Sequence, residues 1–160
     1  MYSIRKADPS DALQVHRLRN AAIRAECSRS YSSEIISLWT EGDVPSEQFA
    51  RVIAESFYVA EANGEIVATG SIDRATGKLD AIFVSPVHMR KGLARLMVTF
   101  LERMALQDGL PRLHLEATLN AVEFYIRQGF AKVRDAKYQS PRGFSMDCVV
   151  MEKPLQPSAA

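Results

Sequence analysis

Cysteine is scarce: the 160 residues hold two, Cys27 and Cys148. Two thiols cannot build a disulfide framework, so both are expected as small buried side chains in a reducing, cytoplasmic setting. No apolar run approaches the roughly 18 residues of a membrane span, and no secretory leader is visible, so no membrane partner is expected. An excess of one charge is also missing, since 20 basic and 19 acidic residues leave a net charge of +1. Without a basic stripe or polybasic run, nucleic acid is not an expected partner either. No three glycines fall in the G-x-G-x-x-G spacing of a dinucleotide fingerprint, and no Gly-Lys pair is followed by the Ser or Thr that a Walker A loop needs. Internal repeats, low-complexity tracts and linkers are absent as well.

What remains is ordinary globular composition, 47% hydrophobic and 24% charged. It fits one domain over residues 1–153, with residues 154–160 as a frayed tail. The most patterned stretch spans residues 79–106. Residues 79–84 form a short apolar, β-rich run, and Pro86 follows at once, so a strand ends there. From Gly92 the apolar residues Leu93, Leu96, Met97, Phe100, Leu101, Met104 and Ala105 recur at offsets of three and four, which predicts one face of an amphipathic helix. Between them lies a basic turn. The first N–H groups of a helix lack internal partners and carry partial positive charge, so the turn suits a phosphate. Gly92 and Ala94 let a ligand approach the backbone beside Leu93, and Arg90, Lys91 and Arg95 supply charge. A solvated strand-to-helix turn is the competing reading, and from the turn alone both stay open.

The remaining chain supplies a frame. Residues 2–7 suggest a strand, and Asp8-Pro9 starts a helix that carries Ala12, Val15, Leu18, Ala22 and Ile23 inward. His16 on that helix reads as a surface or packing residue. Two shorter helices are expected over residues 34–39 and 47–54. Asn63-Gly64 between apolar runs predicts a type I′ hairpin, and a second turn at residues 75–78 completes a three-strand meander. After the long helix, Asp108-Gly109 stops it and Pro111 precedes a strand over residues 113–117. Passing through a helix between two strands makes a βαβ unit, so these strands should be parallel. A strand, a polar break, a helix capped by Asn120 and ended by Gly129, and another strand complete the pattern.

Two of these stretches resemble a known family. Pro86 stands six residues before Gly92, and Gly92-Leu93-Ala94 matches the end of Gln/Arg-x-x-Gly-x-Gly/Ala, the acetyl-CoA signature of the GCN5-related N-acetyltransferases. Met89 stands in the Gln/Arg position, a departure that leaves backbone N–H groups as the main phosphate donors. Asn120, Tyr125, Gly129 and Phe130 match the later signature Asn-x-x-x-x-Tyr-x-x-x-Gly-Phe, in the expected order and separation. The likeness covers roughly residues 57–150; the first third agrees in layout only.

The resemblance implies an α/β fold with a mixed, mostly antiparallel sheet of about seven strands, splayed centrally, with helices on both faces. It implies an enzyme that moves acetyl from acetyl-CoA to a primary amine by direct attack, with no metal. Tyr125 corresponds to the family tyrosine that protonates the departing CoA sulfur. Ile82, Phe83 and Val84 correspond to the strand edge that meets the pantetheine arm, and Asn120 either contacts that arm or orders the helix start. Glu116 is the candidate general base, with Asp80 and water as alternatives and His88 and His114 as weaker ones. Tyr31, Trp39 and Phe49 are candidates to line the acceptor pocket, whose wall comes from residues 28–54 and 137–144. A small-molecule amine is the expected acceptor. Other acceptors (a protein N-terminus, a lysine, an aminoacyl-tRNA), a CoA-binding module without turnover, and a homodimer stay open.

Overall fold

The computed structural model describes residues 1–42 and 45–156, and at residue 81 the backbone alone. Strand β1 (Ser3–Lys6) leads into a 3-10 turn at Pro9–Asp11. There the Asp8 carboxylate accepts from the Ser10 N–H and the Asp11 carboxylate from the Asp8 N–H, a capping box that launches α1 (Ala12–Glu26). The expected inward residues Ala12, Val15, Leu18, Ala22 and Ile23 are all buried. His16 packs edge-on against Phe49 and places Nε2 3.0 Å from the Gly42 carbonyl, a packing histidine as expected. Ser32 and Ser46 cap α2 (Ser33–Trp39) and α3 (Glu47–Ser56) by accepting from the N–H groups of Ile35 and Phe49.

Strands β2 (Phe57–Ala62) and β3 (Glu65–Asp73) meet at Asn63 and Gly64, whose φ of 54° and 77° are the two positive values that a type I′ turn requires. The chain continues through β4 (Lys78–Val84), α4 (Leu93–Gln107), β5 (Arg112–Thr118), α5 (Val122–Arg127), β6 (Ala131–Gln139) and β7 (Ser145–Pro154). These strands form a seven-stranded sheet in the order β1-β2-β3-β4-β5-β7-β6. Every neighbouring pair is antiparallel except β4 and β5. One face is covered by α4, whose Leu93, Met97, Val98, Leu101 and Ala105 pack with Val67, Ile72 and Leu115. On the other, α1 and α3 bring Val15, Leu18 and Ile53 against Val59 and Ile66.

Two expectations change. Leu96 is 40% exposed while Val98 is buried, because α4 meets the sheet along 93, 97, 98, 101 and 105 and leaves 96 on its solvent flank. Pro154 closes β7 instead of opening a tail, and the buried Leu155 donates its N–H to the Pro111 carbonyl at 2.8 Å. Residues 157–160 of the expected tail, and residues 43–44 of the expected acceptor segment, lie outside the described residues.

The sheet comes apart in the middle. β4 and β5 share one register pair, Lys78 with His114, beside a His114 N–H to Gly77 carbonyl bond of 3.1 Å. A Cβ on Gly77 would stand 2.4 Å from the Arg112 carbonyl oxygen, so this join requires glycine. Further along, the β3–β4 register slips from Thr69 opposite Phe83 to Ser71 opposite Asp80, which sets residues 81 and 82 against Gly70. Such a bulge bends β4, and a gap opens between the last residues of β4 and β5.

Candidate active site

A cleft of about 420 Å³ occupies that gap. Ile82, Phe83 and Val84 form one wall, Thr118, Asn120 and Tyr125 the opposite one, and Cys27 at the end of α1 closes a side. The Ser85 N–H bonds the Val67 carbonyl on β3 at 2.9 Å. Alternation along the strand therefore turns the Val84 N–H away from β3, into the gap.

At its far end the cleft reaches the basic turn. Arg90 and Gly92 both sit in the left-handed region, with φ of 64° and 80°. For a residue with a side chain this costs about 1–2 kcal/mol, a strain that persists where the surroundings impose it. Alternating backbone of this kind gathers N–H groups into a concavity that suits an anion. Gly92 is the N-cap of the 15-residue α4 and offers no capping side chain, so the first N–H groups of the helix stay available. Arg90, Gly92, Leu93, Ala94 and Arg95 all line the cleft, together with Met89. Lys91 does not; it points to solvent.

Tyr125 is buried between the rings of Phe124 and Phe130, at centroid distances of 5.1 and 5.5 Å. Its hydroxyl has no hydrogen-bond partner among the described residues. Burial holds its pKa well above that of an ordinary phenol, so it stays protonated at neutral pH.

Of the two roles expected of Asn120, the helix cap is not the one the structure shows. A 3-10 turn at Leu119–Ala121 moves the start of α5 to Val122, and that helix has no side-chain cap, so Asn120 faces the cleft, which Cys27 also lines. The turn is held instead by Tyr31, whose hydroxyl accepts from the Leu119 N–H at 3.0 Å and donates to the Asp147 carbonyl at 2.5 Å. Tyr31, Trp39 and Phe49 do not line the cleft. Tyr31 and Trp39 pack edge-on at 6.2 Å with Phe144 beyond, and Phe49 packs on His16 and Phe57. Cys27 joins the site with no local sequence pattern to mark it; burial pushes its thiol up to about 11.

Glu116 also lies outside the cleft lining. Alternation along β5 sends Leu115 and Ala117 into the core and Glu116 to the opposite face, where its carboxylate pairs with Lys78 at 2.9 Å. Asp80 stands 3.9 Å from the same ammonium. Its side chain is 59% exposed, yet the strands crowding it raise its pKa while Lys78 pulls the other way. His114 approaches the Thr76 carbonyl at 3.2 Å, and His88 does not reach the cleft.

A strand edge with a free N–H, an anion-binding turn and a sequestered tyrosine thus share one cleft. A family model described as an acetyltransferase (GNAT) domain matches residues 27–151. The chain belongs to the GNAT acetyltransferases. It is similar to the uncharacterised N-acetyltransferase YafP of Escherichia coli strain K12, with 27% identity over 136 residues that cover 85% of each protein. A GCN5-related N-acetyltransferase from Rhodopseudomonas palustris shares the fold at a TM-score of 0.88 and 22% identity, covering 96% of this chain and 95% of that one. The PaiA N-acetyltransferase of Thermoplasma acidophilum, solved with coenzyme A, aligns at a TM-score of 0.76 and 18% identity, over 96% and 99% of the two chains. Family membership makes this chain an acetyl-CoA-dependent acetyltransferase. The mixed, mostly antiparallel sheet with helices on both faces is the GNAT fold. Among the described residues no helix is long and apolar enough to cross a membrane, and no group of three metal-ligating side chains occurs.

Proposed function

We propose that the cleft binds acetyl-CoA along its length and that a small primary amine attacks the thioester directly at the splay. The observation that carries this is the single cleft joining the β4 edge, the turn at Arg90–Arg95 and Tyr125. The diphosphate lies on the N–H groups ahead of α4, with Arg90 and Arg95 adding charge-assisted bonds. The thioester carbonyl approaches the Val84 N–H, which stabilises the tetrahedral oxyanion because it is fixed in place before charge develops. Ile82 and Phe83 pack along the pantetheine arm, and Asn120 contacts it from across the gap. As the C–S bond breaks, the sulfur takes a proton from the Tyr125 hydroxyl. Burial keeps the Tyr125 hydroxyl protonated at neutral pH, so its proton is in place when the sulfur departs.

The amine enters from the open face of β5, where Glu116 and Asp80 outweigh Lys78 and attract an ammonium group. Glu116 takes its proton. The ion pair with Lys78 favours a second reading, in which Glu116 only ties β5 to β4 near their single join. A small acceptor is supported by the way the loop after β6 is fastened down. Arg142 Nη1 donates to the carbonyls of Leu38, Trp39 and Glu41 at 3.3, 3.2 and 2.7 Å. That contact anchors the loop to the end of α2 and makes a fixed wall suited to a small acceptor. A cytoplasmic setting belongs to the same proposal, supported by two cysteines that are free and buried.

Thiol release from acetyl-CoA across a panel of small amines, amino acids and peptides tests the activity. With an amine identified, Tyr125→Phe is expected to slow the single-turnover rate by about 10²- to 10⁴-fold with little change in acetyl-CoA affinity. A parent-like rate would make Tyr125 a packing residue. In the same assay, Glu116→Gln lowers kcat/KM by about 10²-fold if Glu116 is the base. Lost stability alone would favour the tie.

A further inference from the structure

Beyond the turn at Arg90–Arg95 the cleft does not end. A second cavity of about 640 Å³ shares Arg95, Phe124 and Arg127 with it and follows the outer side of α4 past Thr99 to Glu102. Order along this path is informative. The splay takes the thioester and the α4 N-terminus takes the diphosphate, so whatever part of the cosubstrate lies past the diphosphate lies here. The charges differ in their commitments. Lys153 is engaged, 2.9 Å from the Glu102 carboxylate and 2.8 Å from the Gln128 carbonyl, and it offsets the acidic group in the cavity. Arg95, in the first turn of α4, and Arg127, in the last turn of α5, have no ion-pair partner among the described residues. Two guanidinium groups thus border one polar space from opposite helices, and a guanidinium fork matches a phosphate monoester in geometry and charge.

We propose that Arg127, with Arg95, binds the 3′-phosphate of CoA and makes this protein distinguish CoA from its 3′-dephospho form. This rests on the acetyl-CoA reading of the cleft. The diphosphate is common to both forms, so the turn at Arg90–Gly92 cannot tell them apart. Only a cation past the diphosphate can. Phe124, whose ring lies between the two cavities, gives the adenosine an apolar surface beside that phosphate. Both arginines are exposed, so the preference is electrostatic in origin and weakens as salt rises.

Calorimetric titration of the full chain with CoA and with 3′-dephospho-CoA tests this, on the parent and on Arg127→Gln, at low and at high salt. The readout is the ratio of the two affinities. The parent is expected to favour CoA by about tenfold at low salt, with the ratio shrinking in high salt. In Arg127→Gln it should fall to about twofold or less, and a circular dichroism melt confirms that the variant is folded. A parent that binds both forms equally, or a variant that keeps the parent ratio, overturns the assignment while leaving the acetyl-CoA reading intact. Failure of the parent to bind either form overturns that reading as well.

Discussion

One oxygen on Tyr31 joins three parts of the molecule: the segment after α1, the 3-10 turn at Leu119 and β7 at Asp147. Tyr31→Phe keeps the ring in its aromatic cluster and removes the acceptor of the Leu119 N–H. The bond is part-buried, so its loss costs about 0.5–1.5 kcal/mol, visible as a lower urea midpoint at unchanged slope. Because the same turn presents Asn120 and begins the helix of Tyr125, kcat should fall more than stability alone explains. An unchanged kcat would show that the turn holds its place without Tyr31. Residues of this kind mark the limit of sequence reading. Gly92 and Tyr125 are legible because their surroundings demand a particular residue at a fixed spacing from its neighbours. Asn120 sits beside a helix start and reads as its cap, yet the inserted 3-10 turn leaves it to the cleft. Cys27 reaches the site only through a distant element, the end of α1, and no local pattern announces it.

Among the elements, the capping box ahead of α1 has a pH dependence whose sign follows from its partners. The Arg5 guanidinium grips Asp11 at 2.8 and 3.0 Å and holds that carboxyl below its ordinary range, with the Asp8 N–H acting in the same sense against burial. A carboxylate with a depressed folded pKa contributes stability that is complete above its unfolded value, about 3.9, and is lost as pH falls through the folded value. The parent should therefore lose more stability between pH 7 and pH 3 than Asp11→Asn does, as measured by thermal or urea midpoints. Equal losses would remove Asp11 from the acid response. Helix starts and hairpins of this kind are readable because capping and turn chemistry is local. The periodicity of α4 puts Leu96 on the buried stripe where the structure has Val98, since which flank meets the sheet depends on where β3 lies. Pro154 reads as the start of a tail for a similar reason: only pairing with Arg112 shows that β7 extends that far.

At the scale of the whole molecule, the decisive feature is a sheet that pairs β4 with β5 at one point and then parts. A parallel βαβ unit could be read from the order of strand, helix and strand. Its rupture could not, because the bulge opposite Gly70 and the glycine contact at Gly77 involve residues far apart in sequence. The central claim is that acetyl-CoA spans this opening from the β4 edge to the start of α4. Hydrogen–deuterium exchange with and without acetyl-CoA tests it directly, since both segments carry N–H groups that lack partners within the fold. Slowed exchange is expected at Val84 and at Leu93, Ala94 and Arg95 together, with β1 and the edge strand β6 unchanged. Protection at the turn without protection at Val84, or protection confined to other surfaces, would contradict the account.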